Sequence, residues 1–234
     1  MRQYLQNKKR LVQNVFNKVY DKYDLMNDFM SLRIHRLWKK NLINWMSPSP
    51  KKKLIDMACG TGDLGKLFLE HTNYTGKVLC VDPNSGMLKK GTERLKKYNN
   101  IAWKKGCAEK ILAPDNFFDY YTISFGVRNI NNINASLKEA YRVLKPGGRF
   151  MCLEFSKVEN DTISKLYKMY SKTIPTIGKF VVGKSEPYEY LINSIEKFYS
   201  QEVFFEKIKK NNFSNVSYRN LSGGIVSIHS AWKI

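Results

Sequence analysis

The sequence predicts an α/β fold, a doubly wound and mostly parallel sheet of seven strands, and three observations carry that prediction. The mainly apolar run Leu54-Ile55-Asp56-Met57 ends in Ala58-Cys59-Gly60-Thr61-Gly62 and is followed by Leu64, Leu67 and Phe68 at helical spacing, which reads as a buried strand, a tight turn and a helix. Apolar runs and helical patterns then alternate to about residue 155, as crossover connections between parallel strands require. Last, Val216-Ser217-Tyr218 and Ile225-Val226-Ser227-Ile228 are joined by Asn220-Leu221-Ser222-Gly223-Gly224, which predicts an antiparallel hairpin at the end of the sheet.

Each element follows from the residues in order. Leu11, Val12, Val15, Phe16, Val19, Tyr20 and Tyr23 recur at helical spacing, and Ile34-His35-Arg36-Leu37-Trp38 opens a second helix that Ser47-Pro48-Ser49-Pro50 breaks. Residues 1–50 are therefore expected to form an N-terminal helical cap over the domain of residues 51–234, with apolar side chains towards a substrate. Lys77 to Val81 is the second strand, closed by Asp82; Ser85 to Lys97 is helical; Ile101-Ala102-Trp103 is the third strand and leads into Gly106-Cys107-Ala108-Glu109. Phe118 to Ser124 is the fourth strand, Ala135 to Leu144 a helix, and Lys145-Pro146-Gly147-Gly148-Arg149 a turn into the fifth strand, Phe150 to Glu154. A mostly helical insertion is expected at about 157–200, and Ile208 closes a further helix.

Forty Lys and Arg against 20 Asp and Glu give a net charge of +20, a field that attracts nucleic acid or an anionic membrane surface. The lysines are scattered between elements, as Lys51-Lys52-Lys53, Lys96-Lys97 and Lys209-Lys210, so solvated faces explain the charge equally well. Cys59, Cys80, Cys107 and Cys152 show no metal spacing and read as buried thiols of a reducing compartment; no metal site is expected. With no signal-like apolar run at the N-terminus and no stretch near the length of a membrane span, the protein is expected to be cytoplasmic.

Ligands of doubly wound sheets gather beyond the carboxyl ends of the strands, and Thr61, Asp82, Cys107-Ala108 and Ser124 all fall there. Gly60-x-Gly62-x-x-Gly65, with Asp82 placed for a ribose, fits a nicotinamide dinucleotide as well as S-adenosylmethionine. The charges separate the two. Asp56 and Asp63 bracket the turn and would oppose a pyrophosphate, whereas S-adenosylmethionine brings an ammonium and a sulfonium that suit them.

Seven motifs run along the chain: Tyr23-Asp24-x-Met26-Asn27-Asp28-x-Met30-Ser31, Ile34-His35-Arg36-Leu37-Trp38-Lys39, Asp56-x-Ala58-x-Gly60-Thr61-Gly62-Asp63, Ile123-Ser124-Phe125-Gly126-x-Arg128-Asn129, Arg142 to Arg149, Leu153-Glu154-Phe155-Ser156-Lys157 and Asn220-Leu221-x-Gly223-Gly224-Ile225. In these the chain resembles the ubiquinone/menaquinone biosynthesis C-methyltransferase family, itself built on the Rossmann-like class I methyltransferase fold. The glycine turn is generic to methyltransferases; the Met-Asn-Asp, Phe-Gly-x-Arg-Asn and Leu-Glu-Phe-Ser motifs are more specific. The resemblance implies that Thr61, Asp82, Cys107, Ala108 and Ser124 hold S-adenosylmethionine, beside the Asp56 and Gly60 of the turn. It also implies that a ring carbon of a polyprenylated quinol is the acceptor, and that other quinone-biosynthesis enzymes and an anionic membrane are neighbours; a homodimer is left open. Lys184-Ser185-Glu186-Pro187 departs from a more acidic family stretch, in the segment assigned to substrate access.

A ring carbon becomes nucleophilic once an adjacent hydroxyl loses its proton, so an oxygen anion needs support. Arg128 is expected to give it a charge-assisted hydrogen bond of roughly 1.5–3 kcal/mol, and Asn129 to orient the ring or a water. His35, Tyr23 and Asp24 are the candidates for the proton acceptor. The competing class is a nucleic-acid methyltransferase, which the charge suggests; against it, Ser124-Phe125-Gly126 lacks the Asn/Asp-Pro-Pro-aromatic sequence that serves base amino groups, and no nucleic-acid partner is expected.

Overall fold

The computed structural model describes residues 34–158 and 186–234. Most of the expected cap, with Tyr23, Asp24 and the Met-Asn-Asp motif, and most of the expected insertion lie outside the described residues.

The elements run α1 (His35–Met46), β1 (Lys53–Met57), α2 (Asp63–His71), β2 (Lys77–Asp82), α3 (Ser85–Arg94), β3 (Ile101–Lys105), β4 (Phe118–Ser124), α4 (Ile133–Val143), β5 (Leu144–Phe155), α5 (Glu186–Glu196), α6 (Gln201–Lys209), β6 (Ser214–Leu221) and β7 (Val226–Trp232). The strands form one sheet in the order β3-β2-β1-β4-β5-β7-β6. β1 to β5 pair in parallel, and β7 runs antiparallel between β5 and β6, which is the expected terminal hairpin.

The period-two pattern of β5 shows why the sheet is covered on both faces. Met151, Leu153 and Phe155 pack with Leu42, Ile43 and Met46 of α1, Leu64 and Phe68 of α2, and Leu191 and Ile195 of α5. Phe150 and Cys152 enter the opposite core with Leu137 and Ala140 of α4 and Phe204 and Ile208 of α6. Helix α1 therefore belongs to the core of one face. Asn84 and Asn132 start α3 and α4 by accepting the backbone N–H of Met87 and Ala135, each at 3.0 Å.

The expected turn at 145–149 is an excursion within a longer strand. Phe118 pairs with Leu144 and Tyr120 with Arg149, so four residues of β5 stand opposite one of β4. Gly147 at φ +76° makes the excursion, and its N–H donates to the carbonyl of Lys233 at 2.7 Å.

Gly62 begins α2 at φ +85°, and a Cβ there would stand 2.5 Å from the Trp103 ring. Gly62→Ala should accordingly cost about 1–3 kcal/mol in urea denaturation, from backbone strain and overpacking together; a loss within error of zero would show that the turn relaxes freely.

Candidate active site

The loops after β1, β2, β3 and β4 enclose a cavity of about 340 Å³, within the usual range of small-ligand sites. The β1 turn contributes Met57, Ala58 and Gly60; the end of β2 and start of α3 contribute Asp82, Pro83, Asn84 and Met87; the β3 loop adds Cys107, Ala108 and Glu109; and the β4 loop adds Ile123 to Gly126 and Asn129 to Asn131. A smaller recess of about 20 Å³ adjoins it, sharing Ala58, Gly60, Ser124 and Phe125 and adding Lys39, Asp56, Thr61 and Asp63. Two turns in left-handed backbone bring these loops together, with Ala58 at φ +53° and Phe125 at φ +56°. Between them Gly126 leaves the space a side chain would take, since its Cβ would lie 2.6 Å from that of Ala58.

Asp82 is the polar anchor of the cavity. Its Oδ2 accepts the N–H of Gly60 at 2.9 Å and its Oδ1 the N–H of Asn84 at 2.8 Å, so the carboxylate ties the first turn to the second. Burial nevertheless raises its pKa to about 6. Asp56, fully enclosed at the end of β1, accepts the hydroxyl of Thr122 at 2.8 Å, and burial pushes its carboxyl up to about 7. Asp63 is the converse case: burial opposes its charge, yet Lys39 at 2.8 Å and Arg94 at 2.6 Å hold its carboxyl well below the usual carboxylate range. The buried Oγ of Ser124 and Oδ1 of Asn131, both on the cavity lining, have no hydrogen-bond partner among the described residues.

The structure gathers most of the residues singled out in the sequence. Gly60, Asp82, Cys107, Ala108, Ser124 and Asn129 line the large cavity, and Asp56, Gly60, Thr61 and Ser124 line the recess. Cys107 is exposed, unlike the buried Cys80 and Cys152, because it stands past the end of β3 at the cavity rim. In the glycine turn the N–H groups of Gly60 and Gly62 are directed to Asp82 and to the carbonyl of Cys59, so they stabilise the turn.

Arg128 needs a larger revision. It is buried outside the cavity lining, where it forms an ion pair with Glu154, donates to the carbonyl of Phe125 at 2.8 Å and reaches Ser194 of α5 at 3.3 Å. A guanidinium so engaged positions the β4 loop instead of meeting a substrate oxygen directly. Its neighbour Asn129 does face the cavity, and its Oδ1 accepts the hydroxyl of Tyr190 at 2.9 Å. His35 is buried in the first turn of α1 and lines neither opening, since α1 turns that position into the core. Lys39, Met87, Asn131 and Tyr190 were missed by the sequence reading. Lys39 lies one turn beyond His35 in a stretch read for its apolar residues, and nothing local marks Asn131 as enclosed.

Residues 2–233 match the ubiE/COQ5 methyltransferase family. The chain belongs to the ubiE/COQ5 methyltransferase family. A ubiquinone/menaquinone biosynthesis C-methyltransferase of Rickettsia akari is 48% identical over 97% of this chain and 94% of its own length. One of Brucella abortus is 46% identical over 97% and 87%. Solved structures similar in fold include an S-adenosylmethionine-dependent methyltransferase of Thermotoga maritima, with a TM-score of 0.68, 18% identity and 95% of this chain and 99% of that one covered. Another, from Aquifex aeolicus, has a TM-score of 0.60 at 17% identity and 98% coverage of both chains. The protein is thus an S-adenosylmethionine-dependent methyltransferase of the ubiE/COQ5 family with the class I fold. The comparisons give no support to a nucleic-acid methyltransferase.

The site fits the cofactor of the ubiE/COQ5 enzymes. An acid tied to two backbone N–H groups suits a ribose diol, the unpartnered Ser124 and Asn131 oxygens await donors, and two enclosed carboxyls favour a cationic ligand over a pyrophosphate.

Two outcomes follow. Because the folded-state pKa of Asp56 lies above its unfolded value of 3.8, the folded protein holds the extra proton, and the stability of the ligand-free protein should fall as pH rises from about 4 to about 7. Asp56→Asn keeps the acceptor for Thr122 and should flatten that slope, removing a loss of up to about 4 kcal/mol; an unchanged profile from urea melts across this range would show that Asp56 is ionised at little cost. Separately, Arg128→Met strands Glu154 and should destabilise by about 3–5 kcal/mol, whereas Arg128→Met with Glu154→Gln should recover at least half of that in the same melts. Equal losses for the single and double variants would count against a buried, mutually dependent pair.

Proposed function

We propose that the protein moves a methyl group from S-adenosylmethionine to a ring carbon of a polyprenylated quinol in ubiquinone/menaquinone biosynthesis, with a 2-polyprenyl-6-methoxy-1,4-benzoquinol, a demethylmenaquinol or both as acceptor. The observation that carries this reading is the 46–48% identity to C-methyltransferases of that biosynthesis over 97% of the chain. The cavity agrees with it, being apolar apart from a few placed polar groups.

In this reading Asp82 binds the ribose, Cys107 and Ala108 border the adenine, and Ser124 and Asn131, without a donor among the described residues, accept from the cofactor. When bound, the cofactor supplies a methyl group on a positively charged sulfur. Asn129, its carbonyl held by Tyr190, turns its amide N–H groups to the quinol oxygen and steadies the anion that forms when the hydroxyl loses its proton, before the ring carbon attacks. Arg128 acts as a positioning residue, holding the Phe125 carbonyl and so the shape of the loop. The prenyl tail keeps the acceptor in a bilayer, and the +20 charge draws the protein to the anionic inner face of the membrane. Among the described residues no helix is long and apolar enough to cross one.

The decisive experiment supplies purified protein with S-adenosylmethionine and, in separate reduced reactions, each quinol, and follows the products by mass spectrometry. A gain of one methyl group on carbon in either acceptor is expected. Donor binding without methylation of either quinol would overturn the acceptor class.

A further inference from the structure

Helix α5 meets two consecutive residues of the turn after β4, and only one of them faces the cavity. The Nε–H of Arg128 donates to Oγ of Ser194 at 3.3 Å, and the hydroxyl of Tyr190 donates to Oδ1 of Asn129 at 2.9 Å. Tyr190 is half-buried and stands outside the cavity lining, so among the described residues its link to the cavity is Asn129.

A side-chain amide is two-sided, and here the side matters. With Nδ2 towards the cavity, Asn129 offers N–H donors to an oxygen anion; turned over, it offers a carbonyl oxygen that repels the same anion. A phenol hydroxyl does not choose between the two by itself, because it both donates and accepts. Charge makes the choice. The Arg128 cation acts on Tyr190, opposing the rise that burial gives the phenol pKa, and the contrary field of Glu154 is the weaker of the two. A cation beside a hydroxyl draws its lone pairs, so the hydrogen points away, to the Asn129 oxygen. Arg128 is held there by the Glu154 carboxylate and by the Phe125 carbonyl at 2.8 Å, so the direction of the field is fixed.

With a quinol as acceptor, the reading on which this rests, we propose that Tyr190 is a positioning residue for methyl transfer: under the field of Arg128, its hydroxyl locks the Asn129 amide with the N–H groups towards the acceptor oxygen. Arg128, Tyr190 and Asn129 then act as one relay. The quinol hydroxyl, its proton leaving to solvent, ionises at a lower pH than it would beside an amide free to turn, because the anion meets donors already aimed at it. Tyr190 does this from outside the cavity, without touching cofactor or acceptor.

Steady-state kinetics of the full chain across a pH series, with S-adenosylmethionine and whichever reduced quinol the wild type methylates, test this. Tyr190→Phe removes the hydroxyl and keeps the ring; it should lower kcat about 10- to 100-fold, while the calorimetric affinity for S-adenosylmethionine stays within about twofold. The pH at which kcat rises should move up by about one unit, as a tenfold weaker hold on the anion requires, so the loss shrinks at high pH. A merely structural role would lower kcat by one factor at every pH. In an Asn129→Ala background Tyr190→Phe should add less than about twofold, since it acts through that amide. Asn129→Asp keeps an acceptor for Tyr190 but has no N–H to present; it should move the pH limb the same way, so the test stands even if Tyr190→Phe folds poorly. An unchanged kcat or an unmoved limb in Tyr190→Phe, an unmoved limb in Asn129→Asp, or an undiminished loss in the Asn129→Ala background overturns the proposal. Methylation of neither quinol by the wild type would instead overturn the acceptor reading.

Discussion

The sheet order reverses at β1, which has β2 on one side and β4 on the other, and that reversal is the constraint on which the site depends. Chains leaving neighbouring parallel strands towards opposite faces open a crevice above the strand ends. The crevice stays a usable depth only if the two turns that flank it touch without filling it. Ala58 and Phe125 accept left-handed backbone to do this, and Gly126 supplies the missing Cβ where they meet. Asp82 then closes the third side by accepting an N–H from the first turn and another from its own.

Such a frame encloses carboxyls that water would otherwise solvate. Asp56 and Asp82 are both raised by burial, and Asp63 escapes that fate only through Lys39 and Arg94. A ligand carrying positive charge returns what burial took away, so cofactor binding and the ionisation of these groups reinforce one another. Met57, Met87, Ile123, Phe125 and Ile130 make much of the remaining lining apolar. Methyl transfer from a positive sulfur to an ionised quinol ring removes two opposite charges, and an apolar surrounding favours the uncharged products more than water does.

The frame was legible in the sequence because it depends on local signals. The Leu54–Met57 run, the glycine turn and Asp82 closing a strand are periodicity and turn chemistry, and the strands appear where they were expected. What the sequence hid was direction. Arg128 stands beside Asn129 in one motif, yet in the tight turn one side chain enters the protein to meet Glu154 while the other faces the cavity, and adjacency along the chain does not reveal that. Lys39 and Asp63 are 24 positions apart and meet because α1 packs against α2. Cys107 reads as one more small buried residue until the end of β3 places it on the rim.

The turn at Val127–Asn129 also links the two halves of the site. Tyr190 and Ser194 are one helical turn apart and so share a face of α5, and both meet this turn, the first at Asn129 and the second at Arg128. Arg128 in turn holds Phe125 and Glu154. A shift of α5 therefore cannot leave this turn where it is without breaking the bond of Tyr190 to Asn129 or that of Ser194 to Arg128. Helix α5, which falls within the expected insertion at about 157–200, is in this way mechanically tied to a residue of the cavity lining. The arginine before the asparagine has a physical reason there: Arg128 fixes the turn from which Asn129 faces the cavity.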